Sequence, residues 1–69
     1  MNDRDLALRA LRDCGVIRVR LGRVPRGYQQ LQRDGAIRAR RVGETHADIR
    51  LNKAGLALAA QLKPWSETQ

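Results

Sequence analysis

One layout occurs twice in this chain, twenty positions apart. Leu8 to Leu21, LRALRDCGVIRVRL, and Tyr28 to Arg41, YQQLQRDGAIRARR, each pass from a helical pattern through a glycine into alternating apolar residues and arginines. Leu11 aligns with Leu31, Gly15 with Gly35, Ile17 with Ile37, Arg18 with Arg38 and Arg20 with Arg40, and Tyr28 falls opposite Leu8. A glycine at that point ends a helix cheaply, because it adopts the left-handed conformation without steric cost. Beyond it the apolar period changes from about 3.6 to about 2, the step from helix to strand. The chain is therefore expected to use a helix–glycine–strand unit twice, with the second copy running into a basic hairpin.

The remaining elements follow in order. Asp3 to Cys14 reads as the first helix, capped by Asp3 or Asn2, with Leu6, Ala7, Ala10, Leu11 and Cys14 on its apolar face and Arg4, Arg9, Arg12 and Asp13 mostly elsewhere. Val16 to Leu21 reads as a half-buried strand with Ile17, Val19 and Leu21 inward and Arg18 and Arg20 outward. A second helix is expected from near Pro25 to Gly35, since proline suits the first turn of a helix and not its interior. Val24, Tyr28 and Leu31 form its inward face, and Arg26, Gln29, Gln30 and Arg33 an open polar face. Ile37 to Val42 and Ala47 to Leu51 read as a hairpin closed by Gly43-Glu44-Thr45. Ile37, Ala39, Ala47, Ile49 and Leu51 are expected inward, and Arg38, Arg40, Asp48 and Arg50 outward. Asn52 caps a last helix from Lys53 to about Leu62, whose GLALAAQL run is apolar almost all round and calls for cover on every side. In a small domain a second copy of the chain supplies that cover, with Leu56, Leu58, Leu62 and Trp65 as the expected dimer interface. The alternative is that one face docks on the core and the alanines are exposed.

Length bounds the rest. The 69 residues fit one domain, 1–65, followed by a disordered tail, 66–69. A domain of this size buries only about 60% of the surface its unfolded chain exposes. The lone cysteine, Cys14, allows no internal disulfide, fits a reducing cytoplasm and is expected to be a buried packing residue. The N-terminus MNDRDLALR carries acids and lacks a long apolar run, so no signal peptide is expected there, and Ala54 to Leu62 is too short to span a bilayer.

The net charge of +7 is concentrated in one segment. Residues 1–17 balance three arginines against three aspartates, and residues 54–69 balance Lys63 against Glu67. Residues 18–53 hold ten cations against Asp34, Glu44 and Asp48 and so carry the whole excess. Twelve of the fourteen cations are arginines, whose planar fork suits bidentate contacts to phosphate or guanine. Catalytic chemistry has no such support. There is no supported nucleophile–base set, glycine-rich phosphate loop or metal-ligand cluster. His46 stands alone near the hairpin tip, and Cys14 lies at a helix end. The expectation is a protein that is no enzyme and needs neither metal nor cofactor.

The order helix, strand, helix, two-stranded wing, helix is similar to a winged-helix DNA-binding domain. From Leu31 to Leu62 the chain resembles the recognition-helix end, wing and following helix of MarR-like regulators. The matching positions are Leu31, Gly35, Ile37, Arg38, Asp48, Arg50, Leu51, Asn52 and Gly55. The resemblance implies a small α+β winged-helix-like fold with the usual second helix reduced or missing. Only Gly22 to Pro25 separate the first strand from the second helix, so either that helix is trimmed to a turn or the VIRVRL strand is shorter than its pattern. The resemblance also implies that Arg26, Gln29, Gln30 and Arg33 lie in or beside the major groove. Arg38, Arg40, Arg41 and Arg50 would grip phosphates from the wing, within a basic segment that also holds Arg23 and Lys53.

Two functions from different classes follow. The first is a DNA-binding transcriptional regulator, docked as a dimer on double-stranded DNA by arginine–phosphate contacts, with helix 25–34 reading bases and residues 37–51 forming a basic wing. The second is an inhibitor or adaptor that clamps an acidic surface of a partner protein. RNA ranks behind both, because Tyr28 and Trp65 are the only aromatics available for base stacking.

Overall fold

Asn2 starts the first helix: its side-chain oxygen accepts from the Asp5 backbone N–H at 2.8 Å, and α1 then runs Asp3–Cys14. Gly15, at φ 81°, ends it by donating its backbone N–H to the Leu11 carbonyl at 2.8 Å and turns the chain into β1, Val16–Arg20. The same device recurs after α2, Arg26–Arg33. There Gly35 takes φ 72°, the Ala36 N–H reaches back to the Leu31 carbonyl at 2.9 Å, and β2, Ile37–Val42, begins. The turn at Gly43, also at positive φ, leads into β3, His46–Leu51. Asn52 caps α3, Lys53–Ala60, by accepting from the Gly55 N–H at 2.8 Å. This computed structural model describes residues 2–62.

The architecture is α+β, three helices on a three-stranded antiparallel sheet of order β1-β3-β2. The two copies of the helix–glycine–strand unit thus flank β3 on either side. Both pair antiparallel to it, with Ile17 opposite Ile49 on one edge and Ala39 opposite Ile49 on the other. The arrangement is winged-helix-like, and the reduction of its second helix is visible. The strand stops at Arg20, and Leu21–Arg23 form a single 3-10 turn before Pro25 opens α2. The two alternatives left open by the sequence hold together: the strand is one residue shorter than VIRVRL, and a turn stands where a helix would be.

Leu8, Leu11 and Leu31 are the largest fully buried side chains, joined by Ala7, Val19, Ala36, Ile49 and Ala59. All three helices contribute to this cluster, so they form one layer on one face of the sheet. Two glycines set how closely the layers approach. A Cβ on Gly27 of α2 would fall on the Asp3 carbonyl of α1, and a Cβ on Gly55 of α3 would fall on the Ala36 carbonyl. Asn52 fixes the second contact. Its backbone N–H donates to the Ala36 carbonyl at 3.1 Å, and its Nδ2 donates to the Gly35 carbonyl at 2.6 Å.

Several expectations change. The buried face of α1 is turned by about one residue from the expected stripe. Leu8 is buried in place of Leu6, which is 46% exposed, and Arg9 is only 5% exposed where a solvated position was expected. Cys14 is exposed and not a packing residue, because the α1 turn beyond Leu11 carries no cover. Ala39 lies on the core side of the sheet by register but is exposed, because the helix layer does not extend over that part of β2.

Candidate nucleic-acid interface

Strand alternation and cross-strand register decide which arginines share a surface. Directly paired residues in an antiparallel sheet point to the same side, with Cβ atoms about 4.5–5.5 Å apart. The side turned away from the helices is therefore a regular grid of three rows. Val16, Arg50 and Arg38 form the first, Arg18, Asp48 and Arg40 the second, and Arg20, His46 and Val42 the third. Five of these nine positions are arginines and Asp48 is the lone acid, which leaves an excess of four positive charges on one open sheet face. All five arginines are exposed. A shallow hollow of about 270 Å³ lies among Arg38, Arg40, Asp48 and Arg50, with Ala39 at its margin.

Asp48 organises the middle row. Its carboxylate accepts from Arg18 Nε at 2.9 Å and from the same guanidinium's outer nitrogen at 3.5 Å. The Arg18 hydrogen bond, helped by the charges of Arg18, Arg50 and Arg40 against the opposing effect of desolvation, holds the Asp48 carboxyl below its ordinary value. The same bond stabilises the charged form of Arg18. Arg38 and Arg50 face each other directly with no acid in their row. Like charges in that relation destabilise a sheet, and a bound anion between them removes the penalty.

The expected wing residues divide between two sides. Arg38, Arg40 and Arg50 lie on the open face, whereas Arg41 pairs with Ala47 and so projects from the core side of the hairpin, where it is exposed. Arg18 and Arg20, absent from the expected contacts, complete the open face. Their outward alternation in VIRVRL was the available signal, but only the β1–β3 pairing puts them beside the hairpin arginines.

The helix residues form a separate set. α2 has eight residues, about two turns or 12 Å of helix. Arg26 and Arg33 are exposed on it, and Gln30 is half-buried. Gln29 is exposed, but its Nε2 donates to the Val24 carbonyl at 2.7 Å, which ties its amide to the start of its own helix. Tyr28 is half-buried against the core, and burial, with a smaller effect of nearby Cys14, raises its hydroxyl pKa. Arg23 is exposed in the 3-10 turn, and Lys53 is exposed at the start of α3.

Of the residues expected at a dimer interface, Leu58 and Leu62 pack against the chain's own core. Leu56 is 58% exposed, while Ala54, Ala57 and Ala60 face solvent. Trp65 and the tail 66–69 lie outside the described residues. Among the described residues no three His, Cys, Asp or Glu side chains are grouped to hold a metal ion, and no helix is long and apolar enough to cross a membrane. His46 instead makes a local hydrogen bond to Thr45 Oγ1 at 2.7 Å. Compared with known proteins, the chain matches no family model, no curated protein and no solved structure.

Proposed function

We propose that the chain is a small DNA-binding module of regulatory type, resembling MarR-like winged helices between Leu31 and Leu62. It docks on double-stranded DNA through arginine–phosphate contacts. The observation that carries this reading is the open sheet face, where five arginines surround one aspartate and two of them oppose each other directly. α2 supports the base-reading half through Arg26 and Arg33, with Gln30 beside them; arginine is the commonest reader of guanine in the major groove. A homodimer belongs to this reading through α3, where Leu56 is 58% exposed.

The test compares binding to random and selected duplexes for the wild type, Arg26→Ala/Arg33→Ala and Arg38→Ala/Arg40→Ala. The strand pair is expected to weaken binding to every sequence alike, and the helix pair to flatten sequence preference. Equal loss of sequence preference in both variants contradicts the division of labour.

The second reading, an adaptor clamped to an acidic protein surface, is favoured by the small reader. α2 spans two turns, its Gln29 amide is engaged locally, and a turn replaces the preceding helix. Recovery of a stoichiometric acidic protein after nuclease treatment, without DNA retention at low salt, supports that reading over the first.

A further inference from the structure

A groove of about 470 Å³ lies between α1 and the start of α2, in the helix layer and away from the open sheet face. Leu6, Ala10, Pro25 and Tyr28 make its lining mainly apolar, and Asp3 and Arg26 bring one charge of each sign. Leu6 is 46% exposed in it. Neither Asp3 nor Arg26 makes an ion pair among the described residues. The chain continues beyond the described residues with Lys63-Pro64-Trp65-Ser66-Glu67-Thr68-Gln69. The point where it continues is close by. Leu62 packs against the core cluster to which α1 gives Ala7, Leu8 and Leu11, and α1 touches both α3 and α2. Trp65 is three residues past Leu62, a reach of about 10 Å, which is about the width of one helix.

We propose that residues 63–69 cross α1 and dock in this groove, with Trp65 seated against Leu6, Ala10 and Tyr28, so that the segment covers Arg26. The sequence of the segment fits the site. Proline fixes its own φ and biases the residue before it toward extended backbone. In an extended segment alternate side chains share one side, which groups Lys63, Trp65 and Glu67. The order cation, indole, acid complements an apolar groove that carries Asp3 and Arg26. Trp65 is the chain's one tryptophan. Its ring brings apolar area, and its indole N–H can donate to the Asp3 carboxylate or the Tyr28 hydroxyl. An attached segment also has the advantage over a second copy, because its effective concentration is on the order of mM.

The docking stands without the DNA-binding reading, but its consequence rests on it. Arg26 is one of the two arginines assigned to base reading on α2, so the seated segment and a duplex in contact with α2 exclude each other. Residues 63–69 then act as a strap that a duplex must displace.

Trp65 reports on its own position. The experiment measures its emission and its quenching by acrylamide in the full chain, folded and in urea. The folded wild type should show blue-shifted emission and several-fold weaker quenching than the unfolded chain, unchanged on dilution. Leu6→Gln alters an exposed wall of the groove and leaves the core intact, so circular dichroism should stay that of a folded chain while quenching rises toward the unfolded value. Leu56→Gln, on the exposed side of α3, should quench as the wild type does. Duplex added at low salt should make Trp65 accessible.

Trp65 as accessible in the folded wild type as in urea overturns the docking. Protection lost on dilution puts the segment on a second copy and overturns docking within one chain. Protection lost in Leu56→Gln and kept in Leu6→Gln places Trp65 on α3 and overturns the groove. A duplex that binds while Trp65 stays protected overturns the cover of Arg26. A chain that binds no duplex removes the DNA-binding reading and the strap with it, and the quenching comparison still decides the docking.

Discussion

Single residues set the approach of the helices. Gly27 lies against the Asp3 carbonyl, and Gly55 against the Ala36 carbonyl. Neither carbonyl can move without shifting a backbone. Overpacking of this kind costs about 1–3 kcal/mol, more than the roughly 1 kcal/mol of helix propensity that alanine brings. Gly27→Ala and Gly55→Ala should therefore lower the urea midpoint, while Gly22→Ala, where nothing lies within 4 Å of the new Cβ, should leave it nearly unchanged. Asn52 does two jobs, accepting from the Gly55 N–H and donating to the Gly35 carbonyl. Asn52→Ala loses both, a cap worth about 0.5–2 kcal/mol and a further hydrogen bond of about 0.5–1.5 kcal/mol. Asn52→Asp keeps the cap and loses only the donor, so its melting temperature should fall between those of the wild type and the alanine variant. Asp48 gives a pH signature. Its folded carboxyl lies below the ordinary aspartate value of 3.8, so the unfolded chain binds more protons in that range. The contribution of the Arg18 pair is fully present above about pH 4. It fades as pH falls through the lowered value. A stability titration should show a shallower acid loss in Asp48→Asn than in the wild type.

The elements show how far the sequence could be read. The extent of α1, both glycine stops, the β2 boundaries and the Asn52 cap follow from local rules, because capping and left-handed turns act within a few residues. The faces of elements were harder. Arg40 and Arg41 are neighbours in the sequence but project from opposite sides of the hairpin, and that division follows from alternation alone. The membership of Arg18 and Arg20 in the same surface as Arg38 and Arg50 depends on β1 pairing with β3 across thirty positions, as between Arg18 and Asp48. No local pattern encodes that register. The burial of Arg9 and the exposure of Leu6 and Cys14 have the same origin, since the docking angle of α1 against the other elements decides which stripe of a helix is inward. Leu58 and Leu62 looked like interface residues because α3 is apolar all round. The structure spends them on the chain's own core and leaves alanines and Leu56 outside.

At the scale of the whole molecule, the repeat explains where the charge sits. Two helix–glycine–strand units place their strands on both edges of β3, and the arginine pair in each strand falls on the side away from the helices. The core that supports this is small, with three fully buried leucines joined by Val19, Ile49 and buried alanines and half-buried apolar residues packed against them. The open face cannot strengthen the fold by itself, because four of its five arginines stand without a carboxylate as close as the one Arg18 has. A polyanion offsets that repulsion, so duplex DNA should raise the melting temperature of the wild type more than that of Arg20→Thr/Arg38→Thr/Arg50→Thr. The most direct test of the central claim is the salt dependence of binding to random duplex DNA. Each neutralised phosphate releases counterions, so six arginine–phosphate contacts predict a slope of roughly −5 in log affinity against log salt. A steep slope of that size, made shallower by Arg38→Ala/Arg40→Ala, is the predicted result. Absence of binding at low salt, or binding that does not respond to salt, would contradict it.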